Sequence, residues 1–367
     1  MLPALRSDRP SLADVFPSCL SALRGEPNAL GLPAVRAAIV LLVDGLGATA
    51  LAARAGHART LLASSSTMQS GFPTTTASAL ATLTTGTAPG QHGLVGYSVL
   101  DAANNRIINQ LSGWEGIDPS VWQNQPTIFE TSVDAGFAAT VIAPGRYRDS
   151  PYTQAVLRGA AFIAAASISD RLEAASRAAA QGAGLIYVYV PELDKAAHHW
   201  GVESPQWTVA LESLDAQISS FGLLNDAGML VTADHGVVDV APHNHILYDT
   251  VPELMAGVAH VGGEPRCLQL YAEPAADVEA RAAAWHASED SRSWVATRAE
   301  AIDAGWFGAV RPEVESRIGD IIVAARKAIA YYASTSSQSS RAMIGQHGSW
   351  SPAELNVPLV RLGAFAR

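Results

Sequence analysis

Cysteine is nearly absent from the 367 residues: Cys19 and Cys267 are the only two. They stand far apart in no CxxC or CxH pattern, which speaks against a disulfide scaffold and a thiolate zinc knot. Basic charge is scarce too, with 24 Lys and Arg against 34 Asp and Glu and a formal net charge of −10. That balance argues against a general binder of the nucleic-acid backbone or of anionic membranes. A negatively charged substrate must then be held locally, by metal ions or a few placed cations. Long hydrophobic runs are missing; stretches such as Ala37 to Val43 are far too short to span a bilayer. The opening MLPALRSDRPSLADVF carries Asp8 and Asp14 and no apolar core, so no signal peptide is read there and a cytoplasmic location is the expectation. With 49% hydrophobic and 16% charged residues the chain is too apolar for disorder, and its length allows one large α/β domain or two ordinary ones.

Several β-branched runs end abruptly in a polar or glycine-bearing turn: AAIVLLV before Asp44, GFAATVIA before Pro144, GLIYVYV before Pro191 and GMLVTA before Asp234. Continuous apolar runs of this length suit strands buried on both faces. Between them, Trp207, Leu211, Leu214, Ile218 and Phe221 share one helix face, and Leu172 to Gln181 is an Ala-rich helix ending before Gly182. Such alternation predicts an α/β fold with a largely parallel central sheet. From Pro252 to Asp320 the texture changes to short strands (RCLQLYA) and separate helices (VEARAAAW). We read 252–320 as a small α+β cap inserted into a catalytic domain made of 1–251 and 321–367. Ser334 to Ser340 is a loop by composition.

Three of the runs deliver a carboxylate at or just beyond their C-terminal ends: Asp44 in LLVDGLG, Asp194 in YVPELDKAAHHWG and Asp234 in LVTADHG. In open α/β sheets ligands bind in the crevice outside those ends. One such Asp is most simply a cap or turn residue. Three clustered carboxylates repel one another and require cations or raised pKa values. Histidines accompany them: His198 follows Asp194 by four residues, His235 adjoins Asp234, and His347 lies in a glycine-flanked loop. Imidazole and carboxylate without thiolate suit two borderline cations, zinc first, with manganese or iron as alternatives. The other histidines read as bland: His57 exposed, His199 turned away from His198, and His243 and His245 in a polar loop. Thr74, Thr75 and Thr76 precede an apolar helical stretch that ends at Gly86, so one hydroxyl sits at a helix N-terminus, a place that favours an anion. Threonine is also an ordinary N-cap. Its hydroxyl is a poor nucleophile unless a base or metal stabilises the alkoxide, so a catalytic role depends on the metal cluster lying beside it.

Taken in order, strand–Asp–Gly, the threonine helix leading to TG and HG, Asp-x-x-x-His-x-x-Gly, Thr-Ala-Asp-His-Gly and a late Gln-His-Gly resemble the alkaline phosphatase superfamily, in its nucleotide pyrophosphatase/phosphodiesterase branch. The match in order runs from about residue 36 to 360. The resemblance implies an alkaline-phosphatase-like α/β/α sandwich and a two-metal site, with Asp194, His198 and His347 on one ion and Asp44, Asp234 and His235 on the other. It places the nucleophile, itself a ligand, ten residues before Gly86, at Thr76; Thr75 is the alternative, because Phe72 and Pro73 stand upstream of the threonines. It implies hydrolysis of phosphodiesters or nucleotide pyrophosphates through a phosphothreonine intermediate, with a small phosphate ester or nucleotide as partner and neither nucleic acid nor membrane.

Where better-known members carry an Asn after the HG pair, this chain has Tyr97, whose phenol can donate one hydrogen bond to the phosphoryl group. Arg146 and Arg148 read as a solvated loop, with phosphate contacts as the alternative, and Lys195, next to Asp194, is expected to point elsewhere. With no cation anchored to a metal motif, diesters are favoured over monoester dianions. A phosphonate hydrolase, a phosphomonoesterase and a mutase share these motifs, and a non-catalytic metal- or nucleotide-binding protein is the alternative of another class. A sulfatase is set aside, because neither cysteine has the C/S-x-P-x-R setting.

Overall fold

The computed structural model describes residues 1–182 and 184–366. Seven strands form the central sheet in the order Ser65–Gln69, Asn356–Gly363, Ala227–Thr232, Ala37–Val43, Leu185–Val190, Ala139–Ala143 and Ala161–Ala164. The five from Ala227–Thr232 onward pair in parallel, and Asn356–Gly363 runs antiparallel to both its neighbours. The central strand Ala37–Val43 is buried at every residue, as an unbroken AAIVLLV run demands when helices cover both faces of a sheet. The helix Pro205–Ser219 turns Trp207, Leu211, Leu214 and Ile218 inward, and the helix Ile168–Ala180 replaces the Leu172–Gln181 expectation with an earlier start at a Ser167 capping box. The mixed α/β architecture, with its mostly parallel central sheet, is the predicted one.

Three adjacent central strands end together. Ala227–Thr232, Ala37–Val43 and Leu185–Val190 lie side by side, so the residues that follow them, Asp234, Asp44 and Asp194, meet at one edge of the sheet. Gly45 makes that meeting possible. Its φ is +75°, and a Cβ there would lie 3.0 Å from both Cα and Cβ of Asp194. Gly236, after the Asp234–His235 pair, has a similar task, since a Cβ would come within 2.0 Å of the Ala353 carbonyl oxygen.

A second, antiparallel sheet has the order Val258–Glu264, Cys267–Ala272, Ile321–Ala325, Ser293–Thr297. Its strand Ile321–Ala325 lies past position 320, so residues on both sides of that boundary share one sheet. The tight turn between the first two strands is fastened to the rest of the protein. Arg266, fully buried, donates to both carboxylate oxygens of Glu354 at 2.7 and 2.8 Å, and Glu354 also accepts the Ser349 N–H at 2.9 Å. Removing one partner of such a buried pair costs about 3–5 kcal/mol. The polar segment Ser334–Ser340 is not wholly loop, because Ser337 caps a short helix Gln338–Arg341. Both cysteines are buried and unpaired.

Candidate active site

The nucleophile segment is built by capping and lacing. Thr75 is the N-cap of the helix Thr76–Thr85, which closes on Gly86 at φ 66°. The N–H groups of Thr76 and Ala77 donate to no backbone carbonyl among the described residues, leaving two donors at the positive end of the helix. Tyr152 fixes this first turn from below, its hydroxyl donating to the carbonyls of Thr76 at 3.1 Å and Ala77 at 2.9 Å. Thr74 ties the segment to the His347 loop: its hydroxyl donates to Ser349 O at 2.7 Å and accepts from Gly348 N at 3.1 Å. Phe72 stacks on Trp350, 4.6 Å between ring centres, on the other side of the same junction.

Around that helix end the structure gathers every predicted site residue except Tyr97 into one cluster of polar contacts. Thr76 Oγ1 lies 3.2 Å from His235 Nε2. His235 Nε2 is 3.6 Å from Asp44 Oδ1 and 3.4 Å from Asp234 Oδ2. Asp194 and His198, four residues apart on the helix Glu192–Trp200, approach to 3.3 Å. The fully buried Arg171 anchors the start of this helix, donating to Tyr189 O and pairing with Glu192. His347 stacks on His235 at 3.7 Å between ring centres and stands 5.3 Å from His198. Ligand atoms within 4.8 Å of one another form two groups, Asp44–Asp234–His235 and Asp194–His235–His347. His235 thus belongs to both, and His198 joins the second through its contact with Asp194.

The donor set fits cations. Asp44 Oδ1, Asp194 Oδ1 and Asp234 Oδ2 are buried without a hydrogen-bond partner, an arrangement that costs free energy unless something positive faces them. Each histidine has its Nδ1 beside a backbone carbonyl: His198 at 2.7 Å from Gly345 O, His347 at 2.9 Å from Thr74 O and His235 at 3.3 Å from Gly236 O. An Nδ1–H committed in that way leaves Nε2 with its lone pair free to ligate. Burial, with the charges of Asp234 and Asp194 added, pushes the Asp44 carboxyl well above the usual carboxylate range. Burial also opposes charge on Asp194, but the His198 imidazole beside it holds that carboxyl below its ordinary value. His347 is driven well below the ordinary imidazole range by burial and then by His235. At Asp44 and His347 like charges add to burial in opposing the charged form, whereas Asp194 is offset by its imidazole neighbour.

The cluster opens into a cavity of about 390 Å³ lined by Asp44, Thr76, Asp194, His198 and His347 among others. Tyr97 lines it as well and is 37% exposed. Lys195 corrects the sequence reading: it does not point elsewhere but lies exposed at the rim of this cavity. Arg146 and Arg148 are exposed, as expected of a solvated loop. His57 and His199 are exposed too, whereas His245 departs from the polar-loop reading by entering the short strand His245–Leu247, half-buried against Tyr332. Sequence reasoning missed Glu264, which reaches the cavity from the second sheet, and Tyr189, whose hydroxyl donates to Asp44 Oδ2. Nothing in their local sequence marks either one.

Comparison with known proteins finds the same fold elsewhere. Murine ectonucleotide pyrophosphatase/phosphodiesterase 5 superimposes with a TM-score of 0.69 at 17% identity, over 88% of this chain and 87% of that one. The human protein gives 0.68 at 17% identity, over 89% and 87%. Phosphonoacetate hydrolase from Sinorhizobium meliloti 1021, solved with phosphonoformate, gives 0.69 at 20% identity, over 90% and 91%. At these identities the likeness establishes a shared fold. No curated protein matches the chain. The family model for type I phosphodiesterase / nucleotide pyrophosphatase matches residues 38–350, a span that contains all eight predicted site positions from Asp44 to His347, and the chain belongs to that family.

Proposed function

We propose that the protein hydrolyses phosphodiesters or nucleotide pyrophosphates with Thr76 as nucleophile. The observation that carries this reading is Thr76 Oγ1 at a helix N-terminus, 3.2 Å from His235 Nε2 and beside three carboxylates whose buried oxygens lack partners. An inactive threonine-to-alanine variant of the murine relative was solved in complex with AMP, and a threonine at the reacting centre is what the same motif order supplies here. Asp44, Asp234, His235 and Thr76 would hold one divalent cation and Asp194, His198 and His347 a second. Zinc is first by donor chemistry, and the pair would supply Lewis-acid stabilisation of the attacking and departing oxygens.

The residues of the chain divide the rest of the work. Thr76 Oγ1 gives up its hydroxyl proton to solvent and attacks phosphorus, the bond from phosphorus to the leaving oxygen breaks, and that oxygen departs with a proton from solvent. A water molecule then attacks the phosphothreonine and gives a proton to solvent, the bond from phosphorus to Thr76 Oγ1 breaks, and that oxygen takes a proton from solvent to restore the hydroxyl. The free N–H groups of Thr76 and Ala77 point at the transferring group and hold one non-bridging oxygen. The Tyr97 phenol donates a further hydrogen bond in place of an amide. Residues 252–320 act as the cap over this cleft, since Glu264 and Pro265 of that segment form part of its wall.

A diester carries one negative charge on the transferring phosphorus and can leave its second substituent under the cap. Lys195, at the rim and exposed, is the one lysine in the cavity wall among the described residues, too little to balance a monoester dianion at the reacting centre. Bis(4-nitrophenyl) phosphate is therefore expected to exceed 4-nitrophenyl phosphate in kcat/KM by several-fold under the same zinc loading. Faster monoester hydrolysis, or cleavage of phosphonoacetate faster than either ester, would reverse the substrate assignment.

A further inference from the structure

The buried Arg266–Glu354 pair fastens the second sheet, and its carboxylate also reaches the loop of a candidate metal ligand. Glu354 is fully buried and is not among the residues of the cavity wall, so it touches neither the substrate space nor a cation. Its Oε1 accepts from Arg266 Nε at 2.7 Å and from the Ser349 N–H at 2.9 Å. Its Oε2 accepts from Arg266 Nη2 and from the Ser351 hydroxyl. Ser349 stands two residues beyond His347, and its N–H has no other acceptor among the described residues. On its other side the loop is laced to the nucleophile segment: Thr74 Oγ1 donates to Ser349 O and accepts from Gly348 N, and Thr74 O faces His347 Nδ1. Thr74 and Glu354 thus hold His347, Gly348 and Ser349 between them.

The same short segment holds the other ligand loop by different atoms. The Glu354 carbonyl accepts from Gly236 N at 2.8 Å and the Leu355 carbonyl from Ser70 N at 2.9 Å, while the Ser70 hydroxyl donates to the Asp234 carbonyl. These bonds use the main chain of Glu354 and Leu355 and survive a change of the Glu354 side chain. Removing the carboxylate therefore acts on one loop: the Ser349 N–H is left buried and unpaired, which the loop relieves by shifting. A metal ligand tolerates a displacement of only about 0.2 Å. We propose that Glu354 is a positioning residue for the second cation, its carboxylate, oriented by Arg266, fixing the loop so that His347 completes the set begun by Asp194 and His198. This rests on the two-cation reading above.

The test is calorimetric zinc titration of the metal-free protein against a competing chelator, with the melting of each protein recorded beside it. In Arg266→Met combined with Glu354→Leu both charges leave together, a replacement that buried pairs often tolerate, and Ser349 loses its acceptor. Glu354→Asp keeps the charge beside Arg266 but is one methylene too short to hold both partners; it decides the matter if the double variant does not fold. Each variant should bind one zinc ion as the wild type does and the other about 10- to 100-fold more weakly, the scale on which groups that orient metal ligands act. Combined with His347→Ala, which removes the ligand that the loop supplies, the same substitutions should change neither affinity further. A role confined to fold support would lower the melting temperature and leave both zinc affinities as they were, and that result overturns the proposal. So does an equal loss at both ions, or a loss that persists undiminished beside His347→Ala. Wild-type protein that takes up fewer than two zinc ions overturns the two-cation reading and the proposal with it, whereas two ions bound as tightly by the variants as by the wild type overturn the proposal alone.

Discussion

Thr76→Ala is expected to lower kcat by at least about 10³-fold, the scale on which removing a nucleophile acts, while leaving the thermal midpoint and the metal content close to wild type. The asymmetry follows from local structure. Thr75, not Thr76, occupies the N-cap, and the first turn is held through the Thr76 and Ala77 carbonyls by Tyr152. Losing the Thr76 side-chain oxygen removes one hydrogen bond, to His235, leaves the helix its support, and leaves Asp44, Asp234 and His235 to hold the cation. Thr76→Ser keeps an oxygen in place and should retain far more activity than the alanine variant. Steady-state kinetics, calorimetric melting and metal analysis on the three proteins check this together. An active Thr76→Ala protein would move the nucleophile to another hydroxyl, and an unfolded one would show that the side chain supports structure.

Metal removal is the second large effect. Dialysis against a strong chelator should reduce turnover by about 10³-fold or more, since loss of several kcal/mol of transition-state stabilisation translates at about tenfold per 1.4 kcal/mol. Zinc added back should restore it. Physically, Asp44 is raised far above its ordinary range by burial and by the charges of Asp234 and Asp194. A site that strained relaxes when divalent cations enter, so the affinity for metal comes from the same repulsion that the fold must otherwise bear. Full activity in excess chelator, with no metal found in the protein, would end the two-metal account.

Much of this site was readable from the chain because its parts lie at strand ends. Asp44, Asp194 and Asp234 each follow an apolar run that suits a buried strand, and the sheet places those strands side by side. The Asp194–His198 spacing is one helical turn, so their contact follows from periodicity. What stayed hidden depends on chain-distant packing. Glu264 reaches the cavity from an antiparallel sheet whose register no local pattern encodes. Lys195 adjoins a candidate ligand in sequence, and that adjacency does not fix which way its side chain faces. At a cavity mouth a long, flexible side chain one step along the helix still reaches the rim. The place of His235 in both groups of ligand atoms is likewise a matter of ring position, which sequence spacing does not report. The boundary at 320 was drawn on texture, and the sheet crosses it because Ile321–Ala325 pairs with both Cys267–Ala272 and Ser293–Thr297.

The central claim, two cations gathered around Thr76, is tested most directly by anomalous diffraction from crystals of the zinc-loaded protein, recorded on both sides of the zinc absorption edge. The account predicts two peaks per chain, one bounded by Asp44, Asp234, His235 and Thr76 Oγ1, the other by Asp194, His198 and His347. Each should have ligand distances of about 2.0–2.2 Å. A single peak, or peaks lying away from these side chains, would contradict it.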